Sequence, residues 1–342
     1  MKQLLTVFML TMAATAFAQN QTPVEYMSRV SAPLDSVRQN CWDYMSAVIY
    51  GKNAANLAGL RSRWTNSVTS SIASVSALPA YDGDIAFRDS VLNYLHYINR
   101  IITNDLTLLD QLKTEANISF EAADKYYNEV NSLNAIFQKS ADKIKVEQRK
   151  FADRNNIALA DNDRANIAEK LKNAIKLNRH YNTNYMAVVK LQKEEEAMLA
   201  AFDKNDIVGA ASTRNNMEKH ANESLAKLST LEPFNKDASL IAGARAAINF
   251  YLLEARDNVP ALLDYFDKSA KFDKAKALFT DQQSRGATPQ QSETYNKAVQ
   301  EINAAGTLYN TTIESLNEKR RLATENWEKA SKTFLANNNP PK

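Results

Sequence analysis

The chain has 342 residues, with 42 Lys and Arg against 39 Asp and Glu, 44% apolar residues and 24% charged residues. This composition excludes disorder of the whole chain and leaves enough apolar residues for a sizeable core. With only 7 Gly and 8 Pro, the sequence offers little turn-forming material for a sandwich, a barrel or a doubly wound sheet, so it favours an all-α fold.

Residues 1–18 have the pattern of a secretory signal peptide. Lys2 supplies a positive start, residues 4–14 are mainly apolar, and Ala16-Phe17-Ala18 fits a cleavage site. We therefore expect a mature chain that begins at Gln19 and is exported to the periplasm or cell surface of a Gram-negative bacterium. No later run reaches the roughly 18 apolar residues of a membrane-spanning helix, so we expect the mature protein to be soluble.

Charge and cysteine content narrow the partners further. Removing Lys2 leaves 41 basic against 39 acidic residues, because residues 1–18 contain no Asp or Glu. This balance gives no electrostatic case for nucleic acid. Cys41 is the only cysteine, and its helical neighbours Val37 and Met45 favour a buried thiol over an intermolecular disulfide or a reactive group.

Hydrophobic periodicity predicts long helices separated by short breaks that contain Asp, Asn or Pro. The predicted helices cover residues 34–52, 53–78, 85–117, 120–154, 163–203, 206–231, 238–267, 272–284 and 289–335. Capping chemistry supports several starts: Thr288-Pro289-Gln290-Gln291 has a capping box after Gly286. Candidate N-cap carboxylates precede other helices at Asp84, Asp161, Asp206 and Asp237.

Two of these helices carry seams of the coiled-coil type, with inward positions spaced by three and four residues. The longer seam runs along the last helix: Tyr295, Val299, Ile302, Gly306, Tyr309, Ile313, Leu316, Arg320, Ala323, Trp327, Ala330 and Phe334. The shorter seam is Tyr127, Val130, Asn134, Phe137, Ala141, Ile144, Gln148 and Phe151. We expect the aromatic residues of both seams to pack in a core rather than to line a ligand groove.

Similar segments recur in the two halves of the chain. Arg61 matches Arg214, and Ser76, Leu78, Tyr81 and Asp84 match Ser229, Leu231, Phe234 and Asp237, all 153 residues apart. Residues 108–110 match 262–264 at 154, and residues 44–48 match 185–189 at 141. This length predicts two tandemly duplicated antiparallel helical bundles rather than a solenoid. We place the first at 19–160, the second at 161–336 and a disordered tail at 337–342.

The plan of the chain resembles that of a known class of proteins. A signal peptide, an early helix containing Tyr, a helix pair joined by a turn at residues 78–84, and a seam ending at Phe151-Ala152 are similar to uncharacterised helical surface or periplasmic proteins of Bacteroidota and spirochaetes. Gln19 and the Asn-rich tail fit a Bacteroidota protein. The resemblance implies a secreted helical fold and no established activity.

The sequence offers one weak candidate for a metal site, at His220 and Glu223. They share a helix face, as in di-iron bundles, but those need the motif on two helices and further carboxylates. The pair also resembles the His-x-x-Glu of imelysin-like periplasmic proteins, where Glu218 replaces their Gly. A solvated helix face is the competing interpretation, and we also expect one for Glu194-Glu195-Glu196.

No catalytic or cofactor-binding motif is present, and no cofactor is expected. We therefore expect an exported, non-enzymatic envelope or surface protein that binds a protein or a glycan, of undetermined oligomeric state. Lys143, Lys145, Arg149 and Lys150 could contact an anionic glycan or lipid headgroup, although a helix flank explains them equally. The alternatives are a metal- or haem-related periplasmic protein using His220 and Glu223, or an enzyme marked by a pocket carboxylate of raised pKa.

Overall fold

A computed structural model describes residues 21–51, 54–159, 165–283, 286 and 288–338. Nearly all of these residues are helical, and no strand forms among them; isolated bridges join Tyr81 to Asp84 and Phe234 to Asp237. The predicted all-α fold class is therefore confirmed. The predicted signal peptide lies outside the described residues.

The helices are numbered here in chain order. Their bounds are α1 Pro23–Ser31, α2 Pro33–Tyr50, α3 Leu57–Ser76, α4 Ala86–Arg100, α5 Leu106–Glu115, α6 Phe120–Arg154, α7 Ala165–Asp203, α8 Ile207–Ser229, α9 Ser239–Leu253, α10 Val259–Gln283 and α11 Pro289–Asn337. A short 3₁₀ turn, Ala54–Asn56, precedes α3. Two π-helical segments, π1 (Ile101–Asp105) and π2 (Glu254–Asn258), connect α4 to α5 and α9 to α10.

Side-chain caps explain where several helices begin. The predicted capping box at Thr288 is confirmed: its hydroxyl accepts from Gln291 N at 3.3 Å, and Thr288 N donates to Gln291 Oε1 at 2.8 Å. Thr22 forms the same box with Glu25 and starts α1, a helix that the periodicity did not predict. Both boxes place Pro at the first helical position, where its missing N–H costs nothing.

The Asp caps follow the same physical rule. Asp206 is the N-cap of α8 and accepts from Gly209 N at 2.9 Å, as predicted. Asp84 and Asp237 lie one residue before the N-caps of α4 and α9, and their carboxylates accept from Ala86 N and Ser239 N at 2.9 Å. Asp161 lies outside the described residues.

The predicted break between residues 267 and 272 is wrong, because α10 runs through it. Residues 268–271 contain no Gly or Pro, and two ion pairs one turn apart support the continuous helix. Lys268 Nζ lies 2.7 Å from Asp264, and Lys271 Nζ lies 2.6 Å from Asp267.

The chain divides into two compact units within α7, unit 1 up to Arg179 and unit 2 from His180. The boundary expected at 160/161 falls among residues 160–164, which are outside the described residues. At the other end, α11 includes Asn337, and Asn338 Nδ2 donates to Asp237 Oδ2 at 3.0 Å.

Each unit has its own core, and the predicted seams face inward. Every seam position of α6 and α11 is buried or half-buried. In unit 1, Phe151 of the α6 seam packs on Tyr26 and Tyr81, with ring centroids 5.5 and 5.6 Å apart. In unit 2, Phe334 of the α11 seam packs on His180 and Phe234 at 5.6 and 6.0 Å. The seam aromatics therefore form core contacts, as expected.

Several local features occur once in each unit at matching positions. The Tyr81–Asp84 and Phe234–Asp237 bridges and the segments π1 and π2 are 153 residues apart. Arg61 donates to Ile102 O inside π1, and Arg214 donates to Ala255 O inside π2. Each guanidinium thus satisfies a carbonyl that the π geometry frees from regular helix pairing.

The match of residues 44–48 with 185–189 does not reflect the packing. Buried residues of α1 and α2 recur on α7 in a register of 154, as the following two lists show. They are Tyr26, Val30, Leu34, Val37 and Cys41 in unit 1, and His180, Asn184, Val188, Leu191 and Glu195 in unit 2. The burial pattern, rather than residue identity, therefore gives the correspondence between these helices.

Candidate functional site

A polar groove of about 600 Å³ lies in unit 1 between α6 and the first part of α7. Amide side chains from one face of α6 line it, at Asn128, Asn131, Asn134 and Gln138. They span ten residues, or about 15 Å of helix. Lys139 and Asp142 of α6 and Arg179 of α7 add charged groups, and Ile175 is an apolar contact.

Asn131 distinguishes this groove from ordinary surface relief. Its side-chain Oδ1 is buried and has no hydrogen-bond partner among the described residues. Leaving such an atom unpaired costs about 1–3 kcal/mol. An Asn at this position therefore lowers stability unless a bound molecule donates to that oxygen.

A second groove of about 520 Å³, between α2 and α3, lacks this feature. Its hydroxyls are satisfied by the protein itself: Ser71 Oγ donates to Ser67 O at 2.7 Å, and Ser67 Oγ donates to Trp64 O at 2.8 Å. Such bonds to the preceding helical turn are common for Ser and need no ligand. The α6/α7 groove is therefore the better binding-site candidate.

The basic residues of α6 beyond the groove lie on the outer flank of the helix. Lys143, Lys145, Arg149 and Lys150 are exposed, whereas Ile144 is 2% exposed and belongs to the core of unit 1. Lys150 Nζ pairs with Glu147 at 2.9 Å. The helix-flank interpretation of these cations agrees with their positions.

The structure does not bring His220 and Glu223 together at a site. His220 Nδ1 instead contacts the Glu194 carboxylate of α7. The Glu223 side chain is 58% exposed and lies 4.0 Å from Lys219 Nζ. Across the described residues, no group of three or more His, Cys, Asp and Glu side chains could hold a metal ion.

The expectation of a solvated face at residues 194–196 is wrong. Glu194 contacts His220, and only Glu196 is substantially exposed, at 49%, beside Lys193. Glu195 is 4% exposed and lies inside unit 2. A run of three acidic residues spans nearly a full helical turn, so one of them must face the core when both flanking faces are packed.

Glu195 belongs to a buried charged cluster, which we call the Glu–Glu–Arg cluster: Glu195 of α7, Glu254 of π2 and Arg320 of α11. Arg320 Nε donates to Glu195 Oε1, and its Nη2 donates to Glu254 Oε1 at 2.9 Å. Glu254 is 1% exposed, and its Oε2 is buried without a partner.

Burial dominates the protonation of this cluster. It raises the pKa of Glu254 far above the usual range of a carboxyl, and the neighbouring Glu195 raises it further, while Arg320 opposes the shift. The pKa of the nearby Tyr251 is also raised, first by burial and then by the two carboxylates. Glu254 is thus a carboxylate of raised pKa, but it lies in the core and lines neither groove described above.

The corresponding positions of unit 1 are apolar. Glu195 and Cys41 each lie 15 residues after His180 and Tyr26, and Glu254 and Ile101 each begin a π segment. Arg320 and Phe137 each lie 14 residues before Phe334 and Phe151. Since Cys41, Ile101 and Phe137 pack at these places, the architecture itself does not require ions there.

Sequence reasoning could have found part of this cluster. Arg320 occupies a position of the predicted α11 seam, and a charged residue on a buried seam requires a buried partner. Glu254 gave no such signal, because the π segment that turns it inward has no sequence signature. Comparisons of the chain with protein-family models, with curated proteins and with solved structures found no match. In the described part of the chain, no helix is long and apolar enough to cross a membrane.

Proposed function

We propose that this protein is an exported, non-enzymatic helical protein of a Gram-negative cell envelope that binds a glycan in the α6/α7 groove of unit 1. The observation that carries the proposal is the buried, unpartnered Oδ1 of Asn131 within a row of amide side chains. The signal-peptide pattern of residues 1–18 supports export.

The chemistry of the groove favours a hydroxyl-rich ligand. An Asn or Gln side chain both donates and accepts, as a sugar hydroxyl does. Peptide recognition usually relies on apolar or aromatic anchors, whereas Ile175 and Ala135 are the apolar residues among those that line this groove. Lys139 and Arg179 provide donors for acidic substituents of a sugar chain.

The two units also support a proposal about origin. We infer that they arose by tandem duplication, because the turn bridges, the π segments and the Arg-to-carbonyl bonds recur at one spacing. On this view, unit 1 retained an apolar interior while unit 2 acquired the Glu–Glu–Arg cluster.

Groove variants test the binding proposal. We expect Asn131→Leu with Asn134→Leu to weaken binding to a soluble envelope oligosaccharide by about tenfold or more, because two net hydrogen bonds are lost. Calorimetric titration of a panel of neutral and acidic oligosaccharides measures this effect. The stability of Asn131→Leu should equal or exceed that of the original chain, since the substitution removes an unpaired buried oxygen.

A matched control uses the second groove. Ser67→Ala with Ser70→Ala changes the α2/α3 groove and should leave oligosaccharide binding unchanged. Failure of every oligosaccharide to bind the original chain, or equal affinity of the groove variant and the original chain, would overturn the proposal. Tight binding of unstructured polar peptides, with no binding of sugars, would replace glycan by peptide as the ligand class.

A further inference from the structure

The Glu–Glu–Arg cluster of unit 2 has unequal numbers of buried positive and negative groups. Two carboxylates contact one guanidinium, and Glu195 and Glu254 are 4% and 1% exposed. If both carboxyls were ionised, one net negative charge would remain in the core. An uncompensated charge of this kind is costly in a low-dielectric interior, and the group usually takes up a proton instead.

The hydrogen bonds of the cluster point to the same conclusion. Arg320 reaches one oxygen of each carboxyl, and Glu254 Oε2 remains buried without a partner. Glu195 lies within hydrogen-bonding reach of Glu254. A proton held on one of these carboxyls would allow it to donate to the other, as in carboxylate pairs that titrate together.

The elements packed around the cluster supply no second compensating cation. On α8, Arg214 is engaged elsewhere, with Ala255 O at 2.6 Å and Glu218 at 3.3 Å. Tyr251 of α9 and Glu196 of α7 are the other titratable groups near the cluster, and both are neutral or negative. Every one of these groups favours proton uptake by the carboxyl pair.

We propose that Glu195 and Glu254 share one proton at neutral pH, so that the Glu–Glu–Arg cluster is a proton-binding site of unit 2. Loss of that proton leaves a buried negative charge where α7, π2 and α11 meet, and it loosens their packing. This site is independent of the groove in unit 1.

The proton has a defined effect on stability. Because the folded state holds it more tightly than the unfolded state, its stabilisation is complete below the pKa of an unfolded Glu. The stabilisation is then lost as the pH rises through the elevated folded-state pKa of the pair. Unit 2 should therefore unfold more easily in mild alkali than at neutral pH.

Carboxyl carbon NMR of the full chain with labelled Glu tests the proposal directly. We expect one Glu carboxyl signal of the original chain to titrate at neutral to alkaline pH and to disappear in Glu254→Gln. We also expect the unfolding midpoint to fall with rising pH in the original chain, and to change little with pH in Glu254→Gln. Two Glu carboxyls that are both ionised at neutral pH would overturn the proposal.

Two further variants separate the proton from general damage to the core. Glu196→Gln changes an exposed carboxylate of the same helical turn, paired with Lys193 at 2.7 Å, and should keep the pH dependence of the original chain. The triple variant Glu195→Cys, Glu254→Ile and Arg320→Phe introduces the residues of unit 1 and should fold without that dependence. An original pH profile in Glu254→Gln would contradict the shared proton; if that variant does not fold, the NMR titration of the original chain decides alone.

Discussion

Cys41 shows at the scale of one residue how burial controls reactivity. Its side chain is 1% exposed in the core of unit 1, and this burial raises the pKa of the thiol. A thiol that stays protonated and shielded is a poor nucleophile, because the thiolate is the reactive form. The predicted buried cysteine is therefore confirmed, and no disulfide forms within the chain because it contains a single Cys.

We predict that Cys41 reacts with an alkylating reagent at least about a hundredfold more slowly in the folded chain than in urea, because reaction requires local or global opening. Mass spectrometry of timed samples measures the rate. Equal rates in buffer and in urea would show that the thiol is accessible in the folded protein.

Residues of the candidate sites were only partly predictable. The row of amides on α6 is visible in the sequence, but the unpaired oxygen of Asn131 depends on where α7 packs. The acidic run 194–196 suggested a uniform surface, whereas its three carboxylates meet three different environments. Charge alone does not reveal burial; a charged residue within an apolar seam, such as Arg320, does.

At the scale of helices, close approach depends on residues without a side chain. Gly243 of α9 lies against α11, and a Cβ added there would be 2.4 Å from the Cβ of Ala330. A Cβ added at Gly306 of α11 would meet Tyr265 at 3.7 Å, an ordinary contact. The same substitution should therefore have opposite effects at these two positions.

We predict that Gly243→Ala destabilises the protein by about 1–3 kcal/mol through overpacking between α9 and α11. As its control, Gly306→Ala should stabilise the protein by up to about 1 kcal/mol, because Ala favours a helix over Gly. Urea unfolding of each variant measures the difference. Equal effects from both substitutions would contradict the described packing of α9 on α11.

The sequence predicted most helices because periodicity and caps report local energetics. Thr288 identified α11 correctly, and the same Thr-Pro-x-Glu/Gln pattern at Thr22 could have identified α1. The break placed at 268–271 had no Gly or Pro to support it. The π segments had no signal at all, because each is stabilised by an Arg from another helix, Arg61 or Arg214.

At the scale of the whole molecule, each of the two units of related local design carries one of the polar features identified here. Unit 1 has an apolar interior and the amide-lined groove, whereas unit 2 places ions where unit 1 has Cys41, Ile101 and Phe137. Buried ions of this kind often stabilise no better than apolar residues of similar size. Their presence in one unit alone is consistent with distinct roles for the two proposed copies.

Export is the premise on which the proposed envelope function rests, and one measurement tests it directly. Cells of the source organism are fractionated, intact cells are treated with protease, and the N-terminus of the recovered protein is read by mass spectrometry. We predict a chain that begins at Gln19 in the envelope fraction, cut by protease in intact cells if it is on the surface and only after the outer membrane is opened if it is periplasmic. Recovery of a chain that retains residues 1–18 from the cytoplasm would contradict the account.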